Sequence, residues 1–291
     1  VLIASVSDIH TDYPENRDAV VKLASEIHKS GADVVIIAGD VSHKNERISR
    51  ALRAFREVAP CVGYVPGNHD LWFDVPGVPL RPDLDTWHRY HVELRSIAES
   101  AGAHYLPASP LVVDGVAIVG SCGWYDYSLA PEWLRATVAE ETLAAKQFGG
   151  VMWKDALCIA FRDGQGELMR DADVARRMES ELKAQLDLVA DREDVKEVVV
   201  ATHHQPFYEV VQRTGTLPWE YFNAFMGSTG LGEVIKGAPK VKTAVYGHTH
   251  FVGEHAVGSI RVYGTPLGYP RERRGLSEED IVRTRIGWIR T

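Results

Sequence analysis

Five short polar blocks punctuate the chain: Asp8-Ile9-His10, Gly39-Asp40, Gly67-Asn68-His69-Asp70, Thr202-His203-His204 and Gly247-His248-Thr249-His250. They bring together carboxylates, an amide and imidazoles, the donors from which transition-metal sites are built. Asp8, His10 and His250 can fill one coordination sphere, and Asn68, His203 and His248 a second. Asp40, with two oxygens, can bridge them. A mixed oxygen and nitrogen set suits two ions of zinc, manganese or iron rather than calcium, which prefers an all-oxygen shell. His203 and His204 would point to opposite faces if the chain stays extended there. His203 is the preferred ligand, and His204 is left as a substrate contact or a support for the ligands.

Each block follows an apolar run short enough to be a strand: Leu2 to Val6, Val34 to Ile37, Cys61 to Val65, Val198 to Ala201 and Thr243 to Tyr246. Alternation along an extended segment would turn both side chains of Asp8/His10, and of His248/His250, toward one site. Between the first runs lie helical spacings, one carrying Ala19, Val20, Leu23, Ala24 and Ile27 and closed by Gly31, another carrying Ile48, Leu52 and Phe55 and stopped by Pro60. This βαβαβ order predicts parallel strands, with ligands gathered beyond their carboxyl ends. A further helix is expected through Trp87, Tyr90, Leu94 and Ile97. Hairpins are expected at Asp114-Gly115 and at Gly258-Ser259. Residues 131–190 read as mainly helical, with Val174, Met178, Leu182 and Leu186 as a core stripe. No repeat and no linker divides the chain, so one domain with a helical insertion is expected.

The composition sets bounds on partners. In 291 residues, 45% hydrophobic and 25% charged, the chain is of ordinary globular type. Lys and Arg number 32 against 40 Asp and Glu, a net charge of −8 that argues against an extended nucleic-acid face. It does not argue against a phosphoester substrate, because bound dications make a site locally positive. Three widely spaced cysteines suit free thiols in a reducing compartment. No apolar run reaches spanning length, so no membrane partner is expected. The apolar start, Val1 to Ser7, lacks the basic stretch and cleavage site of a signal peptide and reads as a strand. The expected location is cytoplasmic. Five of the twelve histidines (10, 69, 203, 248 and 250) are assigned to one site.

The ordered pattern D-x-H, G-D, G-N-H-D, H, G-H-x-H, spanning residues 8 to 250, resembles the calcineurin-like metallophosphoesterase superfamily. The resemblance implies an α/β (α+β) fold of four layers, αββα: two mixed β-sheets packed as a sandwich between helices, with a two-metal site at the strand ends. It places residues 1–291 in one such domain, with the insertion at about 131–190. It further implies attack on phosphorus by a metal-bridging hydroxide, with His69 protonating or stabilising the leaving group and Asp70 orienting the His69 ring. The stretch Gly39-Asp-Val-Ser-His-Lys-Asn45 lacks the Asp-Arg-Gly of protein phosphatases. That is more similar to the bacterial phosphodiesterase-type branch, so a phosphodiester substrate, nucleotide-like or another small molecule, is expected. The alternatives are a phosphomonoesterase, a protein phosphatase, a nuclease or a non-catalytic metal-binding scaffold. Gln205 before Pro206 departs from the family's usual His-Pro-Pro. Further candidates around the site are His43 at its rim and Trp124 and Tyr125, which could stack a base, wall a pocket or simply hold the insertion. Trp153 and Asp155 are candidates for a lid, and Arg271, with Arg273 and Arg274, for phosphate binding or surface pairing.

Overall fold

A computed structural model describes residues 1–75, 77–78 and 81–291. Its strands are β1 (Leu2–Val6), β2 (Val34–Ala38), β3 (Cys61–Val65), β4 (His104–Tyr105), β5 (Leu111–Val113), β6 (Val116–Ser121), β7 (Gln147–Phe148), β8 (Val151–Met152), β9 (Glu197–Thr202), β10 (Val241–Tyr246), β11 (Gly253–Val257), β12 (Ile260–Gly264) and β13 (Gly287–Arg290). One sheet runs β13-β1-β2-β3-β4, with β1 to β4 parallel and β13 antiparallel at the edge. The second runs β11-β12-β10-β9-β6-β5, parallel through its centre, with antiparallel β11 and β5 at its edges.

Alternation along the strands makes the layers. On β2, Val35 and Ile37 pack outward on Val20, Leu23, Leu52 and Phe55 of the helices Pro14–Ser30 and Asn45–Arg56. Val34 and Ile36 of the same strand face the second sheet. On β9, Val198 and Val200 pack outward with Leu182, Leu186, Leu231 and Ile235 of the helices Asp171–Ala190 and Thr229–Lys236, while Val199 and Ala201 turn inward. Both faces of the central strands are therefore buried, which is why β2 reads as an unbroken apolar run. Each such side chain contributes roughly 1.5–3 kcal/mol by leaving water. The result is two mixed sheets flanked by helices, as the sequence implied.

Residues 131–190 contain the helices Glu132–Thr137, Glu140–Ala144, Asp155–Cys158 and Asp171–Ala190. They also contain a ribbon that the helical reading did not foresee, β7 paired with β8. Its strands are too short to show a period. The Gly149-Gly150 turn, with φ of 57° and 79°, was the available signal. Cys61, Cys122 and Cys158 are free thiols. No helix among the described residues is long and apolar enough to cross a membrane.

Candidate metal centre

The candidate donors of these blocks sit one to four residues beyond the ends of β1, β2, β3, β9 and β10, so both sheets deliver side chains to the same rim. The backbone there is not extended. Asp8 (φ 50°), His10 (37°), Asp40 (55°), His248 (73°) and His250 (57°) all adopt left-handed conformations. The alternation argument for the Asp8/His10 and His248/His250 pairs therefore fails, although both pairs do reach one site. Left-handed backbone costs of order 1–3 kcal/mol per residue and persists where surrounding bonds enforce it. Here the Asp8 N–H donates to Gly39 O (2.9 Å), the His10 N–H to Asp40 O (2.9 Å) and the His248 N–H to Asp8 Oδ1 (2.8 Å). Glycine is required between the loops, most tightly at Gly39 and Gly67. A Cβ on Gly67 would overlap Asp40 Oδ1, and one on Gly39, itself at φ 84°, would overlap the His203 ring.

Two donor groups result. In the first, Asp8 Oδ1 lies 3.5 Å from His250 Nε2, which is 3.0 Å from His10 Nε2. In the second, Asn68 Oδ1 lies 3.1 Å from both His203 Nε2 and His248 Nδ1, and these nitrogens are 3.2 Å apart. Asp40 spans them, with Oδ1 3.3 Å from His203 Nε2 and Oδ2 3.8 Å from His10 Nε2. Donors at 2.0–2.1 Å from a shared ion stand about 2.8–3.4 Å apart at octahedral or tetrahedral angles; the separations of 3.0, 3.1, 3.2 and 3.3 Å fall in that range, and those of 3.5 and 3.8 Å lie a little above it. The other face of three imidazoles is already engaged: His203 Nδ1 donates to Ala38 O (2.9 Å), His248 Nε2 to Phe225 O (3.1 Å) and His250 Nδ1 to Glu272 Oε2 (2.8 Å). Such outer partners fix which nitrogen is free to bind an ion.

The charges call for cations. Burial, then the carboxylates of Asp8 and Asp70, push Asp40 well above the usual carboxylate range. Burial opposes ionisation of Asp8 as well, but His250, His203 and His10 outweigh it and hold Asp8 low. Burial and neighbouring histidines lower His10, and bring His248 to about 3, so both are neutral imidazoles with a free lone pair. His250 differs. Burial lowers it, yet the bonds from Asp8 and Glu272 carry it to about 9. Two carboxylates around one ring demand a positive charge, and an ion at Nε2 meets that demand by displacing the proton.

The family model for the calcineurin-like phosphoesterase matches residues 1–252. The chain belongs to this family. A curated relative, the [acyl-carrier-protein] phosphodiesterase PptH of Mycobacterium tuberculosis, is 26% identical over 276 residues, covering 93% of this chain and 78% of that protein. The crystal structure of phosphopantetheinyl hydrolase (PptH) from Mycobacterium tuberculosis superposes with a TM-score of 0.74 at 22% identity, over 99% of this chain and 95% of that one. A dimetal phosphatase from Danio rerio gives 0.49 at 14% identity, over 90% and 86%. The chain is accordingly a phosphoric ester hydrolase.

Within this phosphoesterase, Asp8, His10, Asp40, Asn68, His203, His248 and His250 converge, and His203 rather than His204 joins the donors. His204 packs behind, its ring 4.3 Å from that of His248 and its Nδ1 3.2 Å from Cys122 O. The β9 strand ends at Thr202, so the opposite-face argument does not apply. His69 lines the cavity described below and stacks on Trp72, with centroids 3.7 Å apart. Asp70 does not hold the His69 ring, contrary to the expectation. Its Oδ1 accepts the N–H groups of Val41 and Ser42 (both 2.8 Å) and its Oδ2 that of Gly67 (2.8 Å), clamping the Asp40 loop to the Asn68 loop. Trp124 and Tyr125 are buried and bonded to Asp171 and Asp155, and they are not among the described residues lining the cavity at the centre. His43 pairs with Asp12 (3.4 Å) away from the donors, and Arg271 lies over Tyr269. Arg273 is buried against Asn16.

A cavity of about 580 Å³ opens onto the centre, and Asp40, Asn68, His69, His248 and His250 form part of its lining. Trp153 lines it, as a lid residue would, but Asp155 is buried beneath. Sequence reasoning missed Tyr269, stacked on His10 with centroids 4.6 Å apart, and Glu272 on His250. Both follow the last metal block by about twenty residues, Tyr269 within the stretch Gly264-Thr-Pro-Leu-Gly-Tyr-Pro270 and Glu272 just after it, with no spacing that ties them to the donors. Glu272→Gln, which keeps an acceptor but removes its charge, should weaken binding of one metal ion by about 10–100-fold. Calorimetric titration with Mn²⁺ checks this, and unchanged affinity would contradict it.

Proposed function

We propose that this phosphoesterase is a two-metal phosphodiesterase acting on a diester with one bulky, uncharged arm. The cavity is what supports this most. It has the volume of a small-molecule site, and its walls include Met152, Trp153, Trp219, Phe222, Met226 and Phe251. Lys154 is the one Lys or Arg among the described residues lining it. A phosphomonoester brings a dianion and asks for further cationic donors. A diester brings a single charge and a second substituent, which asks for an apolar berth. The Mycobacterium tuberculosis relative is by name an acyl-carrier-protein phosphodiesterase. A phosphopantetheinyl diester, one phosphate with a long uncharged arm, is therefore the first substrate to try.

Two divalent ions bound at the rim would supply Lewis-acid activation of the phosphoryl group and of water. The chain does the rest. Asp40, with one oxygen in each donor group, sets the spacing between the groups. Asn68, His203 and His248 define one group, and Asp8, His10 and His250 the other. His69, open to the cavity and held low by burial and by four neighbouring histidines, is a neutral ring whose N–H can donate to the departing ester oxygen. The aromatic wall excludes water from the arm.

With Mn²⁺ present, methyl p-nitrophenyl phosphate should be hydrolysed faster than p-nitrophenyl phosphate. A strong monoester preference would overturn the diester reading. Trp219→Ala and Phe251→Ala should raise KM for a long-armed diester by about 5–30-fold, from the loss of roughly 1–2 kcal/mol of apolar contact. Both should leave the methyl diester almost untouched. Equal effects on the two substrates would show that the arm does not lie there.

A further inference from the structure

Asp155 lies in the segment that follows β8, and its side chain is buried, with 2% of the residue exposed. Its two oxygens divide their partners. Oδ1 accepts from Asn68 Nδ2 (2.9 Å) and Trp72 Nε1 (2.7 Å). Oδ2 accepts from Trp153 Nε1 (2.8 Å) and Tyr125 OH (3.2 Å). A buried carboxylate needs donors, and these four satisfy it. Three of the four belong to the site: Asn68 is a donor of the second group, Trp72 carries the stacked His69 ring, and Trp153 lines the cavity.

We propose that Asp155 is a positioning residue that sets both Asn68 and His69, and so makes the inserted segment part of the reaction centre. An amide can offer a metal its oxygen or, flipped, its useless NH₂ group. The bond from Asn68 Nδ2 to Asp155 Oδ1 leaves Asn68 Oδ1 facing His203 and His248. The same oxygen anchors the Trp72 indole, and through the stacked faces it fixes where the His69 N–H points. Its other oxygen ties this pair to the cavity wall at Trp153. The proposal rests on the roles given above to Asn68 and His69.

The experiment compares Asp155→Leu, Trp72→Phe and His69→Ala with the parent chain in two assays. One is calorimetric Mn²⁺ binding to the metal-free protein. The other is hydrolysis of methyl p-nitrophenyl phosphate against methyl phenyl phosphate, whose poorer leaving group depends more on a donor at the departing oxygen. Asp155→Leu fills the space and offers no acceptor to Asn68 Nδ2 or Trp72 Nε1. It should weaken one ion by about 10–100-fold and slow the phenyl diester about tenfold more than the nitrophenyl diester. Trp72→Phe keeps a smaller aromatic face for His69 but loses the N–H bond to Asp155, so it should show the leaving-group bias with metal affinity unchanged. A folded Asp155→Leu protein with parental metal affinity and equal loss on both diesters would overturn the proposal. If that variant does not fold, Trp72→Phe decides, and equal loss on both diesters overturns it. His69→Ala separates the underlying reading: without a leaving-group bias there, the role of His69 is what fails, and metal affinity alone judges Asp155 through Asn68.

Discussion

Replacing Asp40 with alanine should reduce phosphoesterase activity by about 10³-fold or more, because both donor groups lose their shared carboxylate. The metal-free variant should be at least as stable as the parent. In the parent, burial and the charges of Asp8 and Asp70 raise the Asp40 pKa well above its unfolded value. A carboxyl raised in the folded state favours folding while protonated, and that advantage is lost as pH rises through the window between the two values. At neutral pH, above the unfolded value, the raised Asp40 therefore weighs against the metal-free fold, and its removal relieves that. A bound ion reverses the sign. At a hundredfold excess over its dissociation constant it stabilises by about 2.7 kcal/mol. Thermal melts with and without Mn²⁺ read all of this together. The parent Tm should climb with Mn²⁺ and that of Asp40→Ala should stay nearly flat. A variant that still gains Tm and retains two ions would refute the bridging assignment.

His69→Ala should lower kcat by about 10²–10³-fold while both ions remain bound, the size expected on removing one donor from a developing negative charge. Its Nε2 is 3.8 Å from Asp40 Oδ2, and His10, Asp40 and His69 could themselves hold an ion. Metal content is the discriminating observation. Full content with a depressed kcat makes His69 a donor to the substrate. Loss of one ion would make it a ligand.

The sequence carried the donor set further than the reasons for it. Asp8, His10, Asp40, Asn68, His203, His248 and His250 were legible because each sits just beyond an apolar run that could only be a strand. The runs pointed to parallel strands, and the layered sandwich came from the family resemblance alone. The argument from strand alternation failed at Asp8, His10, His248 and His250, since left-handed dihedrals depend on hydrogen bonds between loops far apart in sequence. Asp70 illustrates the same limit. Proximity in sequence suggested that it holds His69, but its carboxylate turns the other way, to the backbone of Val41, Ser42 and Gly67. Asp155 and Glu272 gave no readable spacing, because their partners are Asn68 and His250, and only tertiary packing brings them together. Composition left Trp124 and Tyr125 open between stacking a base, walling a pocket and holding residues 131–190, and their burial and bonds to Asp171 and Asp155 favour the last.

The most direct test of the account is the electron paramagnetic resonance spectrum of metal-free protein titrated with Mn²⁺, followed to saturation. Two donor groups joined by Asp40 predict two ions per chain and an exchange-coupled Mn²⁺ pair, with diester hydrolysis rising as the coupled signal grows. One ion at saturation, or two uncoupled ions with full activity, would contradict a shared two-metal centre.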